Sequence, residues 1–200
     1  MDRSFILCSL VGLTLLSSSA GTSALSKDSP REVLEKFCEL DAQGKQLTPD
    51  GRNEIVPLFM AGGASRPDKI IVVRDFIVSH ANLKKNRAEF YVEYIQLGQI
   101  DPATAKFFHL PPVKVRAGFD LVLTNDRFGV EPDNDATQTA GPAQWRIEGS
   151  PPEPHLTVDS AFRYAKDLRD QATDDSIRKN AELAIAALRR LLPPSHEPPK

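Results

Sequence analysis

The residue types that usually perform acid–base or metal chemistry are few in this chain and far apart. Its four histidines, His80, His109, His155 and His196, lie in four different segments, and no Cys-x-x-Cys or His-Glu-x-x-His motif occurs. The sequence also lacks a Gly-x-Ser-x-Gly nucleophile elbow and a glycine-rich phosphate loop. We therefore predict no catalytic residue, no metal site and no cofactor from motifs.

The clearest pattern that could position polar side chains is a long β-hairpin. Residues 69–80 and 87–98 are rich in β-branched and aromatic residues, and Lys84–Asn86 between them suits a tight turn. Pairing across this turn predicts four opposed pairs: His80 with Phe90, Val78 with Val92, Phe76 with Tyr94, and Arg74 with Gln96. One face then contains Ile70, Val72, Arg74, Phe76, Val78, His80, Tyr94 and Gln96, and the other contains Ile71, Val73, Ile77, Tyr91, Ile95 and Leu97.

Four polar residues on the first face are the candidate ligand-binding residues: Arg74, His80, Tyr94 and Gln96. If this face is concave, Arg74 would bind an anionic or carbonyl-bearing ligand, and His80 and Tyr94 would orient it. The alternative is that these residues lie near strand ends, where they are solvated or bonded to the backbone. An inward Arg74 would need a partner, because an unpaired buried guanidinium is costly.

The elements that flank the hairpin predict an α+β fold. A helix is expected to begin at Ser29, which has Glu32 three residues later as in a capping box, and a shorter helix at Thr48. Two strands follow the hairpin: an alternating one from Val113 to Leu123 and a short one at Gln144–Ile147.

Cys38 is the single cysteine that would remain after removal of the N-terminal segment described below, so no intramolecular disulfide is expected. It follows Phe37 on the apolar stripe of the first helix. We interpret it as a buried, unreactive residue, and a reactive thiol is the alternative.

Two amphipathic helices are predicted after a proline-rich connector at 149–154. The first carries Ala161, Phe162, Ala165 and Leu168 on one side, and the second carries an apolar stripe from Ile177 to Leu191. Such stripes need a surface to bury against, and the second face of the hairpin is a large apolar area. We expect the helix pair to cover that face, and a second copy of the chain is the alternative cover.

Residues 1–24 have the layout of a secretory signal peptide: a polar start, an apolar run over 5–16 and small residues over 17–24. The apolar run is shorter than the roughly 20 residues that a membrane span needs. We therefore expect cleavage, a mature chain that begins at Gly21 or Leu25, and no stable membrane anchor afterwards. The protein would be secreted or periplasmic.

Composition and charge indicate an ordinary globular protein. Of its 200 residues 40% are hydrophobic and 26% charged, and the formal net charge is −2, which argues against global disorder and against a nucleic-acid partner. The predicted organisation is an α+β domain over 25–154, a helical hairpin over 155–193 and a disordered tail over 194–200.

The order of these elements resembles the nuclear transport factor 2-like superfamily, also called cystatin-like or ketosteroid isomerase-like. The resemblance covers Ser29 to Glu148 and depends on two helices, the hairpin segments DKIIVVRDFIV and RAEFYVEY, a long strand and the strand QWRI. It implies a curved antiparallel sheet wrapped around the N-terminal helices, to which this chain adds a C-terminal helix pair. The enzymes of the superfamily place an Asp, His or Tyr inside the sheet, and those positions do not map residue by residue onto this chain.

Three functions are compatible with this resemblance. We predict an exported, non-catalytic module that binds a small apolar or anionic ligand, or a protein partner such as a second copy of itself. The first alternative is a general acid–base enzyme of the isomerase, cyclase or dehydratase type, acting through His80 and Tyr94. The second is a purely structural interaction protein. A pocket among the four candidate residues would favour the first two functions, whereas an interior filled by Phe37, Phe59 and Phe76 would favour the third.

Overall fold

The computed structural model describes residues 28–61, 67–124 and 143–192, apart from the side chains of His80 and Ala81. Its helices are α1 (Pro30–Ala42), α2 (Pro49–Ile55), α3 (Val158–Gln171) and α4 (Asp175–Arg189), and its strands are β1 (Ile70–Lys84), β2 (Arg87–Ile100), β3 (Phe107–Thr124), β4 (Gln144–Ile147) and β5 (His155–Thr157). The predicted α+β class is confirmed, including the C-terminal helix pair. The predicted signal peptide and tail lie outside the described residues.

The five strands form one strongly curled sheet in the order β4-β3-β2-β1-β5. Strands β1 to β4 pair antiparallel, as predicted, whereas β5 pairs parallel to β1. The sheet is therefore mixed. Strand β5 has only three residues, which is too short for a periodic pattern, so the sequence did not predict it.

Helix α1 begins as the capping-box pattern predicts. The Ser29 hydroxyl accepts a hydrogen bond from the Glu32 main-chain N–H, and the Glu32 carboxylate accepts one from the Ser29 N–H at 2.6 Å. The inward face of α1 lies against the curled sheet and fills its interior. We call this cluster the α1 core; its members include Val33, Leu34, Phe37, Cys38, Phe59, Ile71, Val73, Val78, Phe90, Val92, Tyr94 and Leu121.

The pairing of the three long strands, β1, β2 and β3, becomes irregular near the same position along the sheet. We call this bend of the sheet the crease. On β1, Val73 lies opposite Gln96 and Phe76 lies opposite Tyr94, so two residues, Arg74 and Asp75, face a single residue of β2. A second irregularity lies at Leu97 of β2. Its neighbour Gln96 pairs with Val113 of β3, and its other neighbour Gly98 pairs with His109, so three residues of β3 lie opposite Leu97. Such β-bulges bend a strand and change which face each following side chain occupies.

The bulge makes part of the predicted hairpin register wrong. Three predicted pairs, His80 with Phe90, Val78 with Val92 and Phe76 with Tyr94, are observed, whereas Gln96 pairs with Val73 instead of Arg74. In the part of β1 before the bulge, each side chain therefore lies on the face of the sheet opposite to the predicted one. Ile71 and Val73 belong to the α1 core, and Ile70 and Val72 lie on the other face of the sheet.

The C-terminal helices cover that other face near the crease. We call this cluster the C-terminal core; it includes Ile70, Val72, Leu97, Ile100, Leu156, Ala161, Ala165, Ala184 and Leu188, with Ile95 partly buried against it. The prediction that the C-terminal helices cover the second face of the hairpin is confirmed for Ile95 and Leu97. It is wrong for Ile71 and Val73, which face α1, and for Ile77 and Tyr91, which stay 62% and 36% exposed. None of the described helices is long and apolar enough to cross a membrane.

Candidate functional site

A buried carboxylate in the last turn of α1 is the centre of a polar cluster in the described interior of the protein. Asp41 is 1% exposed, because it lies one turn after Phe37 and Cys38 on the same inward face. Its carboxylate accepts hydrogen bonds from the Gln46 side-chain amide at 2.7 Å and from the His155 main-chain N–H at 3.1 and 3.2 Å. The His155 ring nitrogen Nδ1 lies 3.3 Å from the same carboxylate.

This arrangement places Nδ1 of the His155 ring against Asp41 and leaves Nε2 on the other side of the ring. Burial raises the pKa of Asp41, and the hydrogen bonds from His155 and Gln46 act in the opposite direction. When the carboxylate is ionised it only accepts hydrogen bonds, and Nδ1 is then the donor of the pair. Nε2 makes no hydrogen bond with any described residue. In the neutral ring, Nε2 is therefore an acceptor that a bound molecule can use.

Tyr94 forms the other half of the wall next to His155. The two rings are stacked, with centroids 4.2 Å apart and an angle of 12° between their planes. The Tyr94 hydroxyl points away from His155 into the α1 core, where it lies 3.9 Å from the Cys38 sulfur. Burial raises the pKa of Tyr94 and raises the pKa of Cys38 to about 12. Near neutral pH both groups are therefore protonated, and they serve as packing groups.

A cleft opens beside these stacked rings. Its volume is about 280 Å³, and its lining includes Ile71, Tyr94, Gln96, Val115, Glu153 and His155. We call it the His155 cleft. It combines apolar walls with a few polar atoms, which is the usual make-up of a small-molecule site. A larger depression of about 340 Å³ lies between β3 and the segment after β4. It contains no histidine and none of the buried polar groups described above.

The structure separates the four predicted site residues. Tyr94 and Gln96 both line the His155 cleft. Arg74 is exposed in the bulge and is not part of the cleft lining, because the extra residue turns its guanidinium towards solvent and avoids the cost of burying it. The side chain of His80 is outside the described part of the chain. Its backbone pairs with Phe90, four residues along β2 from Tyr94, or about 13 Å away.

Sequence reasoning missed Asp41 and His155, which are 114 residues apart. One signal was available for Asp41: it continues the apolar stripe of α1 at the position where another apolar residue would be expected. A charged residue at such a position needs a partner inside the protein. No comparable signal marks His155, since its strand was not predicted.

No protein-family model, curated protein or solved structure matches this chain significantly. The resemblance to the nuclear transport factor 2-like superfamily stays a prediction. Within the described ranges, no three His, Cys, Asp or Glu side chains converge in a way that could hold a metal ion.

Proposed function

We propose that this protein is an exported, non-catalytic module that binds a small ligand in the His155 cleft. The observation that carries the proposal is the histidine whose Nδ1 is held by a buried carboxylate and whose Nε2 remains available beside apolar walls. The cleft volume of about 280 Å³ is just below the range of about 300–1,000 Å³ that is typical of ligand pockets. The proposed ligand is therefore small.

Binding is favoured over the predicted acid–base enzyme because one of the two residues which that enzyme would use does not present its polar group to the cleft. The predicted enzyme uses His80 and Tyr94, but the Tyr94 hydroxyl lies next to Cys38 in the α1 core. A general acid or base must be within hydrogen-bond reach of the proton that it transfers. Tyr94 therefore supports ligand binding through its ring and not acid–base chemistry through its hydroxyl.

A general acid–base enzyme is the second candidate, and the Asp41–His155 pair is the observation that favours it. A histidine oriented by a carboxylate at Nδ1 and free at Nε2 is a common form of general base. This candidate requires that turnover of some substrate depends on both residues. It would replace the binding proposal if His155→Ala removed an activity while ligand affinity stayed unchanged.

A structural interaction protein is the third candidate, and the filled interior favours it. Phe37 and Phe59 are fully buried and meet edge to face with centroids 4.9 Å apart, and Phe76 packs against the same cluster. The centre of the curled sheet is thus closed, and the His155 cleft lies where β2, β3 and the chain leading into β5 meet. For this candidate, the cleft would receive a side chain of a partner.

A fragment screen on the parent protein tests the proposed function. Stabilising fragments are identified by a shift in melting temperature, and their sites are then assigned with two blocking variants. Val115→Trp introduces a bulky ring at a 39% exposed cleft position, and His155→Ala removes the Nε2 acceptor. His109→Ala is the control, because His109 is exposed on the same strand as Val115 and does not line the cleft.

We expect fragment binding that survives His109→Ala and is lost in both Val115→Trp and His155→Ala. Fragments that stabilise Val115→Trp as strongly as the parent would contradict the proposal. Export has a separate test, which is the intact mass of the protein recovered from outside the cytoplasm. A mature chain that begins at Gly21 or Leu25 supports export, and a chain that retains Met1 contradicts it.

A further inference from the structure

The chain leading into β5 brings an unsatisfied carboxylate to the His155 cleft. Glu153 lines the cleft, and its Oε2 atom is closed off from solvent without a hydrogen-bond donor among the described residues. The residues on either side, Pro152 and Pro154, have no main-chain N–H to offer. A buried carboxylate oxygen needs a donor, and the adjacent backbone cannot supply one.

The other polar atoms of the cleft also favour a ligand that donates hydrogen bonds. Nε2 of His155 is an acceptor when Nδ1 donates to Asp41. The Gln96 amide can accept or donate, so it adapts to either kind of ligand. When Asp41 is ionised, the cleft thus has two acceptors, Glu153 and Nε2 of His155.

A single cation, Lys69, lines the same cleft and would favour an anion. Its side chain is exposed, so water and salt screen its charge. Glu153 is only partly exposed, so its charge is screened less by water and salt than that of Lys69. The carboxylate therefore has the larger influence on which ligand charge is preferred.

We propose that the His155 cleft binds a small organic amine in its protonated form. On binding, the Glu153 side chain rotates so that its closed-off oxygen turns into the cleft. The ammonium group then donates hydrogen bonds to the Glu153 carboxylate and to Nε2 of His155, and the apolar body of the amine packs against Ile71 and Val115. This inference rests on the proposed function, since it names the ligand class for the same cleft. It differs from the anionic ligand that the sequence suggested through Arg74, which lies outside the cleft lining.

Three probes with the same ring and different polar groups test the ligand class: benzylamine, benzyl alcohol and benzoate. Each is titrated into the full chain at one salt concentration, and affinity is measured from NMR chemical-shift changes. Glu153→Gln keeps the size of the side chain and removes its charge. Lys69→Gln is the matched control, because it removes the opposite charge from the same cleft.

We expect benzylamine to bind at least about tenfold more tightly than benzoate, as a charge-assisted hydrogen bond allows. Glu153→Gln should abolish this preference, and Lys69→Gln should preserve or increase it. The amine proposal is overturned if benzoate binds as tightly as benzylamine, or if the preference survives in Glu153→Gln. A third outcome is that benzylamine does not bind, whereas benzyl alcohol or benzoate binds and Val115→Trp blocks that binding. In that case the proposed ligand class is wrong, but the proposed function stands. If no probe and no screened fragment binds, both proposals fail.

Discussion

Replacing Asp41 by alanine should destabilise the protein more than any surface substitution, because three donor groups depend on this carboxylate. They are the Gln46 amide, the His155 main-chain N–H and the His155 ring Nδ1. Asp41 is 1% exposed and Gln46 is 6% exposed. Water therefore cannot replace the lost acceptor without opening the contact between α1 and β5.

The size of the effect follows from the number of donors and from the charge that is removed. Each unsatisfied buried donor costs about 1–3 kcal/mol. Removing the buried carboxylate also removes its desolvation penalty, which offsets part of this cost. The expected net loss is about 3–5 kcal/mol, the range found when one partner of a buried charged network is removed. This is a large share of the roughly 5–15 kcal/mol that holds a typical domain folded.

Urea unfolding followed by the fluorescence of Trp145, the only tryptophan, measures the loss by linear extrapolation. Asp41→Asn should be intermediate, since it keeps one acceptor oxygen. Asp159→Ala is the matched control; its carboxylate is exposed and pairs with Arg163 one turn away at 3.1 Å, so the loss should stay below about 1 kcal/mol. If Asp41→Ala unfolds within about 1 kcal/mol of the parent, the carboxylate does not hold α1 and β5 together.

Three further outcomes are expected. Because burial raises the pKa of Asp41, its ionisation in the folded protein costs stability. The unfolding free energy of the parent minus that of Asp41→Asn should therefore fall as pH rises from about 4, and a flat or rising difference would contradict the direction of the shift. Cys38, with its pKa raised to about 12, should react with a thiol reagent at pH 8 roughly a thousandfold more slowly in the native than in the unfolded protein; equal rates would show an accessible thiol. Gly98→Ala should lower the unfolding free energy by about 1–3 kcal/mol, because the added Cβ would lie 2.5 Å from the Phe108 carbonyl oxygen. Gly118→Ala, whose Cβ would meet only a tyrosine ring at 3.7 Å, should be nearly neutral in the same urea assay.

The elements of the fold could be predicted because their patterns are local. The capping box at Ser29 and the alternating apolar residues of β3 each depend on a few neighbouring residues. The face assignment of β1 before the bulge could not be predicted in the same way. Ile70 to Val73 are all apolar and all buried, so alternation gives no preferred face there. The polar pair Arg74–Asp75 marks one of the three places where the pairing of β1 with β2 shifts.

The candidate site was only half predictable for a related reason. Tyr94 and Gln96 could be placed on one face because alternate residues of a strand point to the same side, and both line the cleft. Asp41 and His155 meet only because a three-residue strand pairs parallel to β1. A contact between residues so distant in sequence produces no repeating pattern of apolar residues, and a strand of three residues is too short to show such a pattern.

The position of β5 links the two cores of the protein to the cleft. Leu156 belongs to the C-terminal core, while its neighbours bond to the end of α1: His155 to the Asp41 carboxylate, and the Thr157 hydroxyl to the Ala42 carbonyl at 3.4 Å. Hydrogen bonds that attach β5 to α1 therefore also orient the His155 ring beside the His155 cleft. A ligand that binds Nε2 stabilises the same arrangement, because it binds the folded state and not the unfolded chain. Under the proposed function, ligand affinity and the contact between the two cores would be coupled through Asp41, and weakening that carboxylate should reduce both.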